Sequence, residues 1–195
     1  MLNLFKKSEY LEDRRFVLFL GSLIVLIVGN LFFSVNEQRH AVLILVLQNV
    51  LFSLILFQNK SIRVKGVVGV FGGIMTVNLL LVLLYPDTLT EQLAHFTHFS
   101  YFLFVTIHLF VDIYQMKKLT GEAIFGVFSG FILVALISGF LFILLDEIAP
   151  NSFTGIENRS DLASYIYFSF ITLMTIGYGD ISPVSEIARK LVVFS

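Results

Sequence analysis

Five apolar stretches, each near the length of a bilayer crossing, leave few folds open to this chain. They run from Phe16 to Phe33, Ala41 to Phe57, Gly66 to Tyr85, Phe96 to Tyr114 and Ala123 to Leu145. A helix needs about 20 mostly apolar residues to cross the hydrocarbon core, within a range near 17–25. A sixth apolar piece begins near Ile187 and runs to Ser195. The first stretch is too long for the core of a cleaved leader, and no small-residue cleavage site follows it, so it reads as a retained helix. With 57% hydrophobic and 14% charged residues, the chain departs from soluble domains, which carry about 45–50% and about 25%. That balance excludes a disordered tail and a typical soluble enzyme. Thirteen basic against fourteen acidic residues leave a net charge of −1, so no bulk charge is present to hold a nucleic acid. With no cysteine, disulfides and thiolate metal sites are also excluded. The expected fold class is an all-α, multi-pass membrane protein.

Basic residues set the orientation of such a protein. Lys6, Lys7, Arg14 and Arg15 precede the first stretch; Lys60, Arg63 and Lys65 separate the second from the third; Lys117 and Lys118 separate the fourth from the fifth. The opposite loops hold Arg39 and Arg159, with Arg189 and Lys190 at the start of the last piece. This asymmetry predicts a cytoplasmic amino terminus over 1–15 and an outer location for the segment after Leu145. Gly69 with Gly73, and Gly126 with Gly130, have the spacing that lets helix backbones approach. Ordinary packing accounts for both.

Between Asp146 and Glu186 the chain stays on the outer side, yet it holds an apolar run too short to cross. Asp161 to Leu173 reads as a helix long enough for half the bilayer at about 1.5 Å per residue, with Ser160 or Asp161 available to cap its start. Directly after it stands Thr172-Leu173-Met174-Thr175-Ile176-Gly177-Tyr178-Gly179-Asp180. Non-helical backbone at membrane depth persists only where it is buried in protein or lines water. A re-entrant helix followed by alternating glycines therefore has the design of a pore loop, against the blander alternative of a glycine-rich outer turn.

The run TLMTIGYGD, followed by ISPVSEIAR, resembles the signature of tetrameric potassium channels, with Pro183 and Arg189 at that family's usual offsets. The resemblance implies that the carbonyls of Thr175, Ile176, Gly177 and Tyr178, with the Thr175 hydroxyl, form stacked potassium sites that replace the ion's water. Gly177 and Gly179 would supply backbone angles that residues with a Cβ resist. It also implies that Thr175 to Gly179 form the selectivity filter, that Tyr178 points away from the ion path and braces it from behind, and that Thr172, Tyr167 and Asp180 support it. Asp180 would stand at the outer mouth, tie the filter to the pore helix and concentrate cations. The paired tryptophans common in the family's pore helices are replaced by Tyr167 and Phe168, and the glutamate that some members place behind the filter is replaced by Ile171. Tyr167 retains a hydroxyl that reaches towards Asp180.

Four helices ahead of a pore module resemble the six-helix layout of voltage-gated channels. Residues 16–118 would then form a four-helix, voltage-sensor-like bundle, and residues 119–195 the pore domain, with an outer helix, a re-entrant pore helix, the filter and an incomplete inner helix. Steep voltage gating needs several charges in the field, each worth about 2.3 kcal/mol per 100 mV. Phe96 to Tyr114 contains no arginine or lysine, and Gln48, Asn49 and Asn78 are the only strongly polar side chains of the second and third stretches. The expectation is therefore no voltage sensing. The fourth stretch instead brings His95, His98, His108 and Asp112; the pairs three and four apart share helix faces. A proton sensor or metal site is one reading. The other sets His95 and His98 at the outer interface and Asp112 at the inner one, near Lys117.

The last apolar piece, from Ser185 to Ser195, covers about 16 Å as helix, half a crossing. Its carbonyls would end unpaired in hydrocarbon, so the expectation is a longer parent chain or a partner that supplies the remainder. The sequence thus reads as a non-enzymatic potassium channel subunit of the plasma membrane, conducting passively as a homotetramer among membrane lipids. It needs no cofactor beyond the permeating potassium ion. The rival readings are a non-conducting structural or regulatory subunit, or a fragment that needs a full-length partner, and a weakly selective cation channel.

Overall fold

The computed structural model describes residues 14–29, 49–51, 53–57, 60–85, 88–116, 121–157 and 161–193. Among them run α1 (Arg15–Gly29), α2 (Ile62–Leu84), α3 (Thr88–Tyr114), α4 (Gly121–Ile148), β1 (Phe153–Thr154), α5 (Leu162–Leu173), β2 (Ser182–Pro183) and α6 (Glu186–Val193). Residues 49–51 and 53–56 are helical as well. Most of the expected second crossing lies outside the described residues, as do Lys6, Lys7, Arg39, Gln48, Lys117, Lys118, Arg159 and Ser160.

Three described helices are long and apolar enough to cross a membrane: α2 over Ile62–Val82, α3 and α4. α1 has 15 described residues, about 22 Å of helix. Hydropathy marks only the hydrocarbon core, and the helices overrun it. α3 begins at Thr88 rather than Phe96, and Glu91 in its first turn faces the positive end of the helix dipole. Hydroxyls inside the apolar helices bond back to the preceding turn: Thr76 to the Gly72 carbonyl, Thr106 to Phe102 and Ser129 to Phe125. Those bonds remove the cost of carrying a polar group where no water is present.

The chain divides into two compact units, residues 1–86 with 107–130 and residues 87–106 with 131–195. In the first, Phe16, Phe19 and Leu23 of α1 are buried, as are Leu56, Phe57, Val68, Met75 and Leu109. A Cβ on Gly126 would meet the ends of Ile113 and Phe16, and one on Gly130 the ring of Phe110, whereas Gly69 and Gly73 have no neighbour within 4 Å among the described residues. Among the described residues none of these four glycines meets another backbone. The buried Asp112 pairs with Lys60, and with Arg15 at 3.8 Å. Its partners among the described residues therefore come from other elements of the unit; the expected neighbour Lys117 lies outside the described residues.

The second unit is built round aromatic rings. Phe142 meets Phe153 and Phe168 at centroid distances of 5.4 Å, and Phe153 meets Tyr165 at 5.9 Å and Phe168 at 5.7 Å. Such pairs contribute about 0.5–1.5 kcal/mol each beyond their buried area. Ile143, Ile171, Ile181 and Ala188 complete this core. α5 lies close against α4: a Cβ on Gly139 would stand 3.0 Å from the Ile166 Cα, and Ser169 Oγ donates to the Ala135 carbonyl at 2.7 Å. β1 and β2 pair antiparallel, Phe153 with Pro183 and Thr154 with Ser182.

Candidate functional site

α5 starts where the sequence indicates. Asp161 caps it, accepting from Ala163 N–H at 3.2 Å and from Ser164 Oγ at 2.6 Å. Its twelve residues cover about 18 Å. Tyr165, Phe168, Ser169 and Ile171 form its buried face, so the replacement for one expected tryptophan, Phe168, is part of the core.

Past Leu173 the backbone folds back on the end of this helix. Met174 N–H donates to Phe170 O at 2.9 Å and Thr175 N–H to Thr172 O at 2.9 Å; Ile176 and Gly177 both donate to Ile171 O, at 2.9 and 3.2 Å. The side chain of Ile171 is buried and its carbonyl gathers two amides, which explains how an apolar residue serves at this place. Then φ alternates in sign: it is +56° at Thr175, +56° at Gly177 and +80° at Gly179, and negative at Ile176 and Tyr178. Alternation between right- and left-handed residues turns successive peptide units the same way, with N–H groups to one side and carbonyls to the other. The amides of this segment that form bonds do so towards α5. Its carbonyls, from Thr175 to Gly179, accept no hydrogen bond among the described residues. Thr175 pays for the pattern, because a β-branched residue at positive φ is an outlier. A row of unpaired carbonyls needs water or a cation.

The far end of the segment is pinned twice. Tyr167 Oη donates to Asp180 Oδ2 at 2.8 Å. That bond, first, and desolvation, second, hold the phenol above the usual tyrosine range. Gly155, at φ +85°, lies so close to Asp180 that a Cβ there would run into the Asp180 carbonyl. Next in the chain, Ile181 enters the core. The structure thus brings together Thr172, Tyr167, Asp180 and the row from Thr175 to Gly179. The Tyr178 ring is 70% exposed in the single chain, and its hydroxyl is near enough to Tyr167 to act on it electrostatically. The space behind the row in its own chain is taken by the end of α5.

The histidines separate by position. His95 Nδ1 donates to Glu147 Oε1 at 2.8 Å, so an interfacial location alone does not describe it. His98 Nδ1 donates to the Ala94 carbonyl at 2.6 Å and its ring stacks on Phe140. In the other unit, His108 meets the Phe57 ring edge-on at 5.8 Å. Among the described residues no three metal-ligating side chains converge. Asp146 escaped the sequence reading. It is buried and accepts from Tyr165 Oη and Ser152 N–H; an acid ending an apolar span was the available signal.

The residues that set this geometry, from the second half of α4 through α6, are also the ones that known proteins share. Residues 130–195 match the model of an ion channel family. No curated protein and no solved structure matches the chain. The matched stretch holds α5, the carbonyl row and both of its pins. With three helices of crossing length, it supports a membrane protein that carries a stretch similar to ion channels.

Proposed function

We propose that the chain is a pore-forming subunit of a potassium-selective channel, with the carbonyls of Thr175, Ile176, Gly177 and Tyr178 and the Thr175 hydroxyl as the ion sites. One observation carries this reading: left-handed residues alternate along Thr175 to Gly179 and leave a row of carbonyls unpaired. One chain supplies one side of such a path. Four copies round an axis would close it, and the exposed Ile176 and Tyr178 side chains would then pack on a neighbour. Residues 119–195 act as the pore domain and 16–118 as a helical domain that senses no voltage, since Phe96 to Tyr114 carries no basic residue and Asp112 is committed to Lys60 and Arg15. The amino terminus faces the cytoplasm, the channel lies in the plasma membrane, and conduction is passive, with no chemical step and no cofactor.

The test is potassium flux into liposomes containing this chain, measured beside sodium flux and a Gly177→Ala variant. An alanine forced to left-handed φ costs about 1–2 kcal/mol. Potassium flux well above sodium flux, abolished by the variant, supports the reading. Equal flux of both ions, or flux indifferent to Gly177→Ala, rejects it.

A further inference from the structure

Two acids close α4, at the end where a helix dipole disfavours negative charge and where the last turn holds no basic residue. Each is held by groups from elsewhere in its unit. His95 Nδ1 fixes Glu147, and so fixes the turn that carries its neighbour. Asp146, 3% exposed, accepts through Oδ2 from Tyr165 Oη at 2.8 Å and through Oδ1 from Ser152 N–H at 2.7 Å.

Those two donors lead to opposite ends of the carbonyl row. Tyr165 is fully buried on α5, the helix whose Ile171 carbonyl gathers the Ile176 and Gly177 amides. Ser152 immediately precedes β1, which pairs with β2, the strand that follows the row; its carbonyl accepts from Val184 N–H at 2.8 Å and Ser185 N–H at 3.3 Å, just past β2. Ser185 Oγ in turn donates to Ser152 Oγ at 3.1 Å and accepts from Ala188 N–H, in the first turn of α6, at 3.1 Å. The helix that enters the row and the strand that leaves it are thus both referred to one carboxylate on α4.

We propose that Asp146 is a positioning residue for ion selection: it sets the span over which Thr175 to Gly179 are stretched. This rests on the functional reading above. Both oxygens must accept, and only a carboxylate offers two acceptors here; the amide of an asparagine would turn a donor towards a donor.

The experiment compares Asp146→Asn, Tyr165→Phe and the control Glu186→Gln in the full-length chain by amide hydrogen exchange and by potassium and sodium flux. Losing a bond to a buried carboxylate is worth about tenfold or more in local opening. Asp146→Asn should therefore speed exchange about tenfold at Ile176, Gly177, Val184 and Ser185, and lower the potassium-to-sodium flux ratio. Tyr165→Phe should act on Ile176 and Gly177 and spare Val184 and Ser185, while Glu186→Gln changes neither. Unchanged exchange in Asp146→Asn overturns the proposal, and so does faster exchange with an unchanged flux ratio. Should Asp146→Asn fail to fold, Tyr165→Phe decides by the same criteria. A wild-type chain that does not distinguish potassium from sodium defeats the functional reading instead, and the exchange pattern still tests whether Asp146 holds both ends.

Discussion

α2 and α4 have nearly the same membrane credentials and opposite surroundings. Both are long, apolar and rich in glycine, yet 17% of α2's most apolar window is buried against 56% of α4's. The glycines show why. Among the described residues Gly66, Gly69 and Gly73 of α2 have no neighbour within 4 Å and Gly72 meets only the Val50 side chain, whereas Gly139 of α4 admits the backbone of α5. Small residues on a membrane helix therefore carry two meanings, and only the neighbour across the gap separates them. In α4 the gap is where a half-length helix is seated, and that helix aims the carbonyl row.

Five substitutions test this contrast, in descending size. Gly155→Ala should be the most damaging, because the new Cβ meets the Asp180 carbonyl at a left-handed position; about 3 kcal/mol or more of stability should be lost, read as a fall in the thermal midpoint in detergent. Gly139→Val follows, at about 2–3 kcal/mol, since beside the Ile166 Cγ1 stand the Ile166 Cα and N, backbone atoms that cannot rotate aside. A variant as stable as the wild type at either position would mean that the close seat of the pore-loop elements is not required. Tyr167→Phe should leave the fold intact and lower the potassium-to-sodium flux ratio about threefold, by removing a partly exposed bond to Asp180. The same bond sets a pH dependence. The Tyr167 phenol titrates above its unfolded value, so its contribution is complete below about pH 10 and is lost as pH rises through the higher folded value; in a spectroscopic titration this tyrosine should ionise after the free ones. Gly69→Ala and Gly73→Ala should be the mildest, within about 1 kcal/mol and towards greater stability, as helix propensity alone is at stake. A large loss at either would reveal a neighbour on that face and dissolve the contrast with α4.

Much of the segment from Asp161 to Asp180 was legible in the sequence, for local reasons. Asp161 as cap, the end of α5 near Leu173 and the reach of Tyr167 towards Asp180 all follow from short-range spacing. Longer-range pairings were not legible. Periodicity says that His95 and His98, or His108 and Asp112, share a face; it cannot say that Glu147 faces one and Lys60 and Arg15 another, because those partners arrive from other helices. Asp146 was hidden for a related reason: an acid beside a polar turn looks solvated until Tyr165 and Ser152 close over it. Tyr178 is a different case: its role was drawn from resemblance, and in one chain its ring is largely exposed.

Of the three left-handed residues in the row, only Thr175 bears a Cβ. Gly177 and Gly179 sit there at little cost, while Thr175 stores about 1–2 kcal/mol. The row is therefore unevenly loaded, like a beam sprung at one support. Any relaxation starts at the end that abuts α5 and travels outward to the anchored Asp180. A glycine at 175 would slacken that spring and even out the load.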